Sequence, residues 1–416
     1  MRRALWTQVT AYRLKMGWCS MSLQPTNPNI TDLDKLLADG YNAYMYESLL
    51  IVQDIPYVNE RKEVDRGVLV STLTVSGNTA VYQRNAGKHV IHFQGQKPCD
   101  DNGKQLDMIH TVSSVQHANH ITTSYSFSRK PPNDYGSEYE KMIGYITALM
   151  SPALVIDPTA TAKSTATGGA LEWESVFNYI DTNSERAHIS EISQKLMPYH
   201  IGIIGVGGTG SYILDSIAKT PVQSIHLFDS DIFYNHNAFR APGAPSKEIL
   251  EKRPTKVEYL KGVYSNMHKN IEAHPVDIDE NTITMLGELN FVFVAVDKGS
   301  VKKLIFDYLE SKDIPYVDVG MGVQTTPQGT ILGEVRTVAV TNEKRKKHRS
   351  WIGQVDPDEE LYESNIQIAE LNSINAAMAV IMWKKHAKFY NESTPVGMTT
   401  FTIDTLQQGR EIDDDA

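Results

Sequence analysis

The second half of the chain contains short runs of Val, Ile and Phe, and most of the stretches between them have a helical pattern. Apolar runs of five to seven residues without alternation are typical of strands that are buried on both faces of a parallel sheet. We therefore predict a doubly wound, Rossmann-like α/β domain. The predicted strands are HIGIIG (200–205), SIHLFD (224–229), HPVDI (274–278), FVFVAVD (291–297) and IPYVDVG (314–320).

The first half of the chain predicts a smaller α+β module. Strand-like runs occupy 68–78, 79–83 and 88–93, and Gly-Asn or Asp-Asn-Gly turns lie beside them. A helix is indicated where apolar residues recur at helical spacing. Those residues are Tyr139, Ile143, Ile146 and Met150.

A segment rich in Thr, Ala, Ser and Gly, PTATAKSTATGGA (158–170), separates the two halves and is typical of a linker. The acidic end EIDDDA predicts a solvated tail. The first residues lack a continuous apolar run and do not resemble a secretory signal, and Met21 is a second candidate start. The predicted organisation is an N-terminal extension (1–21), an accessory domain (22–157), the linker (158–170), a second domain (171–395) and a C-terminal tail (396–416).

Net charge, the lack of long apolar runs and the cysteine count disfavour several classes of protein. The 416 residues carry a formal net charge of −10, which makes a nucleic-acid partner unfavourable. The sequence has no run of 18 apolar residues, so we expect no transmembrane helix and a cytoplasmic location. The two cysteines, Cys19 and Cys99, cannot supply a disulfide framework or a four-cysteine zinc site.

A glycine-rich loop follows the first predicted strand of the second domain. Gly205-Val-Gly207-Gly208-Thr-Gly210 is followed by the helical pattern SYILDSIAK. Glycines in this context allow a tight turn and close approach of a phosphate to the helix N-terminus. Asp229 ends the next predicted strand, 24 residues after Gly205, where a carboxylate can bind ribose hydroxyls. By itself this pattern fits any nucleotide site, including an NAD site.

Further charged and polar residues follow in order: Asp231, Asn237, Arg240, Lys256 and Asp297. At the carboxyl edge of a parallel sheet such residues converge. A hydride-transfer site needs few charges there. An adenylating site must neutralise a triphosphate and hold Mg²⁺, so the charge pattern favours adenylation over an oxidoreductase.

Taken together, these motifs resemble the ThiF/MoeB-type adenylyltransferases, the catalytic core of ubiquitin-activating enzymes. The resemblance covers about 185–390 and extends to NIQIAELNSINAAMAVIMWKK (365–385), which is similar to the helix after the family's crossover loop. We expect Leu371, Ile374, Met378 and Ile381 to form its buried face. With its N-terminal accessory domain, the chain looks like the activating enzymes of bacterial operons that encode ubiquitin-like proteins.

The resemblance implies a role for each matched residue. Asp229 would bind the ATP ribose, beside Asp231 and the glycine-rich loop. Asn237, Arg240 and Lys256 would contact the phosphates, and Asp297 would hold Mg²⁺. Arg186 corresponds to an arginine that reaches the ATP of a partner subunit, which implies a homodimer.

Two departures from the family bear on later steps. The chain lacks the paired C-x-x-C motifs of zinc-binding relatives, so we expect no structural zinc. The region of the crossover loop (342–364) contains no cysteine to accept the activated carrier. Ser364 is a candidate oxyester acceptor, although a serine there also suits a helix N-cap. Cys99, in a turn-rich loop, is a weaker candidate acceptor, and the basic run 343–349 predicts a solvated loop or a docking segment.

The sequence thus predicts ATP-dependent adenylation of the C-terminal carboxylate of a ubiquitin-like protein, with a conjugating-enzyme-like protein as a further partner. Activation of a sulfur-carrier protein, a peptide or a modified tRNA base is an alternative. A non-catalytic scaffold in a ubiquitin-like pathway is another. A role in antiviral defence is an expectation from the operon resemblance alone.

Overall fold

The structure, a computed structural model, describes residues 31–46, 48–76, 79–80, 88–118, 121–163, 175–179, 181–187, 189–341, 345–353 and 366–412. Within these ranges the chain forms an antiparallel domain followed by a doubly wound α/β domain, as the sequence predicts. No helix among them combines the length and the apolar character needed to cross a membrane.

The first domain packs a long helix against an antiparallel sheet. The sheet order is β1-β2-β3-β6-β8-β7, and β4 pairs with β5 separately. The elements are α1 (Thr31–Ala38), β1 (Ala43–Tyr46), β2 (Leu49–Val58), β3 (Val64–Thr72), β4 (Val75–Ser76), β5 (Thr79–Ala80), β6 (Val90–Gln94), β7 (Ile109–Ala118), β8 (Ile121–Ser128) and α2 (Glu138–Ile156). Helix α2 begins at the N-cap Ser137 and buries Met142, Tyr145, Ile146 and Leu149 against the sheet.

The second domain alternates strands with helices. Its elements are α3 (Thr182–Arg186), α4 (Ser190–Gln194), β9 (His200–Ile204), α5 (Gly208–Ile217), β10 (Ser224–Phe228), α6 (Asn235–Ala238), α7 (Lys247–Glu251), α8 (Lys256–Tyr264), β11 (Ile271–His274), a 3₁₀ helix (Ile283–Glu288), β12 (Phe291–Val294), α9 (Gly299–Ser311), β13 (Tyr316–Thr325), β14 (Ile331–Val340), α10 (Arg345–Arg349), α11 (Ala369–His386), β15 (Val396–Thr402) and β16 (Gln407–Ile412).

The eight strands of this domain form one sheet in the order β11-β10-β9-β12-β13-β14-β15-β16. The strands from β11 to β13 are parallel, and β14 to β16 continue the sheet antiparallel. The chain leaves β9 toward β10 on one side and later returns to β12 on the other. The loop after β9 therefore lies at the switch point of the sheet, where open α/β folds bind their ligands.

The C-terminal segment over 396–416, predicted as a tail outside the second domain, is instead largely part of its sheet. Strands β15 and β16 extend the sheet, with Val335 opposite Phe401 and Met398 opposite Glu411. Their polar side chains reflect strands that bury little of their surface, so polarity alone does not indicate an unstructured tail. Residues 413–416 lie outside the described part of the chain.

Two other boundaries also differ. The predicted strand 274–278 is instead Ile271–His274, because Pro275 follows directly and cannot donate a ladder hydrogen bond. The predicted linker begins too early, since Ala160 and Ala162 are buried in the first domain and Lys163 bridges to Tyr41. Residues 164–174 of the linker region lie outside the described residues.

The basic run is also more ordered than a solvated loop. Its residues from Arg345 form α10, which packs on α9 through ion pairs. Arg345 pairs with Asp313, and Arg349 lies 2.6 Å from Asp307 and 3.0 Å from Glu310. The charges of this segment are therefore partly used to hold it against the domain.

Helix α11 is present where the resemblance implies, and its predicted buried face is confirmed in part, since Leu371 is buried and Ile374 and Met378 pack against the same apolar cluster. Ile381 is 45% exposed, whereas Asn372, Asn375 and Trp383 are buried. The helix lies against α5, β13 and β14. Two of its buried positions are polar because Asn372 bonds to Thr209 of the glycine-rich loop and Asn375 bonds to Gly320 and Thr337 of the sheet, which an apolar pattern cannot indicate.

Candidate nucleotide-binding site

The glycine-rich loop turns tightly between β9 and α5. Gly205 has a φ of +81° and donates its N–H to Phe228 O at 2.8 Å. A Cβ on Gly205 would lie 2.5 Å from Ala295 O, and one on Gly210 would lie 1.9 Å from Gly205 O. A Cβ on Gly207 would meet nothing within 4 Å. The first and last glycines are thus required by the turn, and Gly207 leaves open space in front of the helix N-terminus.

An ion pair network follows β10. The carboxylate of Asp229 accepts the backbone N–H groups of Val206 at 2.9 Å and Asp231 at 3.0 Å. Lys256 Nζ lies 3.2 Å from Asp229 Oδ1 and 2.6 Å from Asp231 Oδ2. The side chains of Lys256 and Asp229 are each 9% exposed, while that of Asp231 is 70% exposed. Lys256 is the first residue of α8, held there by a capping box of Thr255 and Glu258.

Asn237 and Arg240 are three residues apart in the sequence, but only Arg240 lines the cavity described below. Asn237 is buried, and its side-chain oxygen accepts the N–H of Tyr234 at 2.9 Å, so this side chain caps α6. Arg240 lies at the edge of a cavity, and its Nε has no hydrogen-bond partner among the described residues. Burial lowers the pKa of the nearby His236, and the charges of Arg240 and Lys256 lower it further.

The cavity has a volume of about 580 Å³ and lies at the switch point of the sheet. It brings together residues that are far apart in the sequence. Those predicted from the sequence are Gly205, Gly207, Gly208, Asp229, Asp231, Arg240, Lys256 and Asp297. Gly210 and Asn237 shape the loop and helix around it instead. Asp297 follows β12 and is exposed, as expected for a carboxylate that faces solvent or a ligand.

Two further carboxylates line the same cavity and were missed by the sequence argument. Asp277 accepts the hydroxyl of Ser230 at 2.7 Å, and Asp279 accepts the N–H groups of Asn281 and Thr282. These backbone N–H donors lower the pKa of Asp279. With Asp297 they add carboxylates to a cavity that Arg240 and Lys256 also line.

Asn372 and Asn375 of α11 also line the cavity and were missed. Asn372 Oδ1 accepts the hydroxyl of Thr209 at 2.9 Å, and its Nδ2 donates to Arg240 O at 3.3 Å. A Cβ on Gly208 would lie 2.2 Å from Asn372 Nδ2. Asn372 therefore joins the glycine-rich loop to the Arg240 segment, and the third glycine of the motif leaves room for it.

A fully buried carboxylate lies close to the cavity. Asp318 is 0% exposed and lies 2.5 Å from Lys302 Nζ and 3.1 Å from Arg336. Burial raises the pKa of Asp318, and the two cations oppose that rise. Asn375 Nδ2 donates to Gly320 O at 3.0 Å, close to this cluster. The buried charges tie β13, β14 and α9 together under the cavity.

The sequence predicts three further candidate residues. Arg186 is the last residue of α3, and its role toward a partner subunit stays a prediction. Ser364 lies outside the described residues. Cys99 is 1% exposed and forms backbone bridges with Val58 and Gln105, so its position does not favour a role as an acceptor. Burial also raises the pKa of its thiol, which disfavours the reactive thiolate.

The donor set fits a nucleotide triphosphate with a hydrated magnesium ion. The N-terminus of α5 borders the cavity at Gly207 and Gly208, where the backbone N–H groups of a helix can bind phosphate, and the cations Arg240 and Lys256 line it as well. Carboxylate oxygens, the preferred ligands of Mg²⁺, are also part of its lining. This combination of charges distinguishes the cavity from one that binds only a nicotinamide cofactor.

Comparisons with known proteins give a relative and several solved structures. The chain is 24% identical over 167 residues to the tRNA threonylcarbamoyladenosine dehydratase of Haemophilus influenzae, a match that covers 37% of this chain and 64% of the relative's length. Solved structures include PaaA, at 15% identity and a TM-score of 0.42 over 55% of this chain and 78% of that one. They also include Escherichia coli MccB with succinimide, at 15% identity and a TM-score of 0.42 over 56% and 72% of the two chains.

Two family models together span most of the chain. Residues 31–182 match a domain of unknown function, DUF6791, and residues 183–411 match the ThiF family. The second match begins within α3 and ends in β16, one residue before that strand ends, so it contains the eight-stranded sheet almost completely, and the cavity. Because the matched segment is more than half of the 416 residues, the chain belongs to the ThiF family of ATP-dependent adenylyltransferases.

Proposed function

We propose that the protein activates the C-terminal carboxylate of a ubiquitin-like protein by ATP-dependent adenylation. The observation that carries the proposal is the convergence of the glycine-rich loop, Asp229, Arg240, Lys256 and Asp297 on one cavity. The ubiquitin-like carrier is favoured by the arrangement of the chain, in which an accessory domain precedes the ThiF domain.

In this proposal each residue has a physical task. The N–H groups at the start of α5 bind phosphate oxygens, and the carboxylate of Asp229 holds the ribose hydroxyls. Arg240 and Lys256 offset the negative charge that develops as the carrier carboxylate attacks the α-phosphate and pyrophosphate leaves. Asp297, with Asp277 and Asp279 nearby, would hold Mg²⁺, which neutralises phosphate charge.

Lys256 must change partners for this to occur. Its ammonium group is engaged by Asp229 and Asp231. Ribose binding to Asp229 and the approach of phosphates would draw Nζ away from these carboxylates, because a triphosphate carries more negative charge than either one. Asp231 is mostly exposed, so its release into solvent costs little.

Pyrophosphate exchange tests the proposal directly. With a ubiquitin-like protein encoded beside this chain, labelled pyrophosphate should enter ATP only when the carrier is present with its C-terminal residue. Asp297→Ala should lower this exchange at least 100-fold, while the control Asp404→Ala, an exposed position in the turn before β16, should not. Exchange without any carrier, or full exchange by Asp297→Ala, would contradict the proposal.

A second proposal concerns the next step. The hydroxyl of Ser364 would attack the acyl-adenylate, lose its proton and release AMP, which leaves an oxyester between carrier and enzyme. An adduct that resists thiols, is cleaved by hydroxide and is lost in Ser364→Ala supports it. Ser350→Ala is the control, since Ser350 Oγ already bonds to Lys347 O at 2.6 Å. A thiol-sensitive adduct, or one that persists in Ser364→Ala, contradicts it.

The homodimer belongs to the same proposal. If Arg186 reaches the nucleotide of a second subunit, mixing Arg186→Ala with Asp297→Ala should restore exchange, because one mixed site then contains both residues. Two inactive variants that remain inactive when mixed, although they form mixed dimers, would refute action between subunits.

A modified tRNA base is a competing substrate because of the similarity to the Haemophilus influenzae dehydratase. The net charge of −10 weighs against a polyanionic partner. The pyrophosphate-exchange assay distinguishes the two substrates. Exchange that depends on tRNA and not on a carrier protein would favour the tRNA base.

A further inference from the structure

Three side chains that commonly bind metals meet on the edge of the second sheet, outside the nucleotide cavity. His226 lies on β10, and Glu272 and His274 lie on the edge strand β11. Register places His226 directly opposite Glu272 and Phe228 opposite His274. Because residues two apart on a strand share a face, all three side chains lie on the same face of the sheet.

The donor atoms are close enough to share one ion. His226 Nδ1 lies 3.2 Å from His274 Nε2. Glu272 Oε2 lies 3.8 Å from the first nitrogen and 3.9 Å from the second. Two nitrogens bound to one tetrahedral zinc ion at about 2.1 Å are about 3.4 Å apart, so the imidazoles already have the spacing of a shared site.

The third donor can close the remaining gap. The side chain of Glu272 is 59% exposed, whereas those of His226 and His274 are 16% and 19% exposed. A shift of about half an ångström would bring its carboxylate to a bonding position, and an exposed side chain can make such a shift freely. The open side of the cluster leaves a fourth position for water.

Neighbouring groups hold both rings in place. Ser224 Oγ lies 3.0 Å from His226 Nε2 and 2.8 Å from His200 Nδ1. When Ser224 accepts the Nε2–H of His226, the lone pair of that ring is left on Nδ1, which faces the cluster. Phe228 stacks on His274 with ring centres 4.6 Å apart. A hydrogen bond from the outer ring N–H, as His226 makes here, is typical of histidines that bind metals.

We propose that His226, Glu272 and His274 bind a zinc ion that joins the edge strand β11 to β10. Two imidazoles, a carboxylate and one water are a ligand set that zinc accepts. β11 has only four residues, and its His274 O accepts the N–H of Asp229 at 3.3 Å. The ion would therefore also steady the backbone that positions Asp229, although its ligands are separate from the nucleotide-binding residues.

The alternative is that the two histidines only form a hydrogen bond with each other. Their nitrogens at 3.2 Å and their nearly parallel rings, with an interplanar angle of 4°, are also compatible with an N–H···N contact. In that case the cluster would have no measurable affinity for zinc.

Calorimetry and thermal unfolding of chelator-treated, nucleotide-free protein test the site. We expect one equivalent of ZnCl₂ to bind and the Tm to rise by about 5 °C in excess zinc. His226→Gln should abolish both effects, because its amide can retain the Ser224 contact but lacks the Nδ1 donor. Glu272→Gln should weaken binding at least tenfold. The control His110→Gln, an exposed histidine on β7, should bind zinc as the unaltered protein does.

Cobalt(II) gives a second measurement that does not depend on stability. Binding at this cluster should produce the intense visible absorption of tetrahedral cobalt, and His226→Gln should lack it. Absence of stoichiometric zinc binding, or equal binding and absorption in His226→Gln, would overturn the proposal.

Discussion

Each of the two domains buries a lysine with a carboxylate, but their surroundings differ. In the first domain, Lys141 Nζ lies 2.7 Å from Glu138, with the two side chains 1% and 3% exposed. Ser71 donates to Glu138 at 2.9 Å, and Lys141 also donates to Lys88 O at 2.9 Å. Burial lowers the pKa of Lys141, so the pair compensates for a desolvation cost within the domain.

In the second domain, Lys256 and Asp229 are almost as buried, yet both line a cavity of about 580 Å³. Their partners include the mostly exposed Asp231, which a ligand can displace. The difference shows that burial of a charge does not by itself mark a functional site. The useful distinction is whether the charged groups border a space in which a ligand can replace their partners.

Removal of Lys256 should produce the largest effect. Lys256→Ala should lower carrier-dependent pyrophosphate exchange at least 1,000-fold, because it removes a cation from the phosphate side of the cavity. Lys261→Ala, an exposed lysine of the same helix α8, is the matched control and should retain exchange. If Lys256→Ala and Lys261→Ala lose exchange equally, Lys256 has no specific role in the cavity and its ion pair is not functionally different from that of Lys141.

Removal of Glu138 should instead affect stability. Glu138→Ala leaves a buried ammonium group without its carboxylate and should lower the free energy of unfolding by about 3–5 kcal/mol. Urea unfolding followed by circular dichroism measures this change. Lys219→Ala, which breaks the surface pair with Asp215, is the control and should cost at most about 1 kcal/mol. A cost for Glu138→Ala as small as this would show that the first pair is not structural.

His268 is a buried titratable residue of the second domain that does not line the cavity, so we expect it to affect stability and not ATP binding. It is fully buried, donates to Val222 O at 3.0 Å, and burial lowers its pKa to about 4. The unfolded chain takes up this proton near pH 6.5, so its contribution to stability is present above pH 6.5 and is lost as the pH falls toward 4. Over that interval the loss is about 3 kcal/mol.

Urea midpoints between pH 7 and pH 4 measure this effect. The unaltered protein should lose more stability than His268→Gln across the range, because the variant has no buried imidazole to protonate. Parallel pH curves for the two proteins would show that His268 does not contribute. Because His268 is buried away from the cavity residues, the variant should still bind ATP at pH 7.

The glycine-rich loop offers the smallest of these effects. Gly210→Ala places a Cβ against Gly205 O and should destabilise the second domain by about 1–3 kcal/mol, with loss of ATP binding. Gly207→Ala meets no atom within 4 Å and should leave the Tm unchanged. Differential scanning calorimetry and ATP titration compare the two. Equal destabilisation would show that the motif constrains the loop at every glycine.

Much of the second domain could be predicted because its signals are local. Continuous apolar runs identify buried strands, and a glycine-rich turn between a strand and a helix indicates a phosphate site. Asp229, Arg240, Lys256 and Asp297 do meet in one cavity because each is placed near the carboxyl edge of the same sheet. Asn237 does not line it, since its side chain caps α6 instead.

The errors arise where distant partners decide the structure. β15 and β16 have polar sequences, and pairing with β14 makes them part of the sheet. Cys99 lies in a turn-rich loop and is nevertheless buried, with backbone bridges to Val58 and Gln105. Ile381 is exposed and Asn375 is buried in α11, because hydrogen bonds to Gly320 and Thr337 determine how the helix packs.

The sequence by itself determined the type of sheet, the place of the phosphate loop and the order of the charged residues, because period, glycine content and spacing are properties of neighbouring residues. Only the tertiary structure decided which polar groups share a space. It placed Asn372 against Gly208, enclosed Asp318 between Lys302 and Arg336, and brought His226 to His274 across two strands. Strand register and helix packing join residues far apart in the chain, and no local pattern records those contacts.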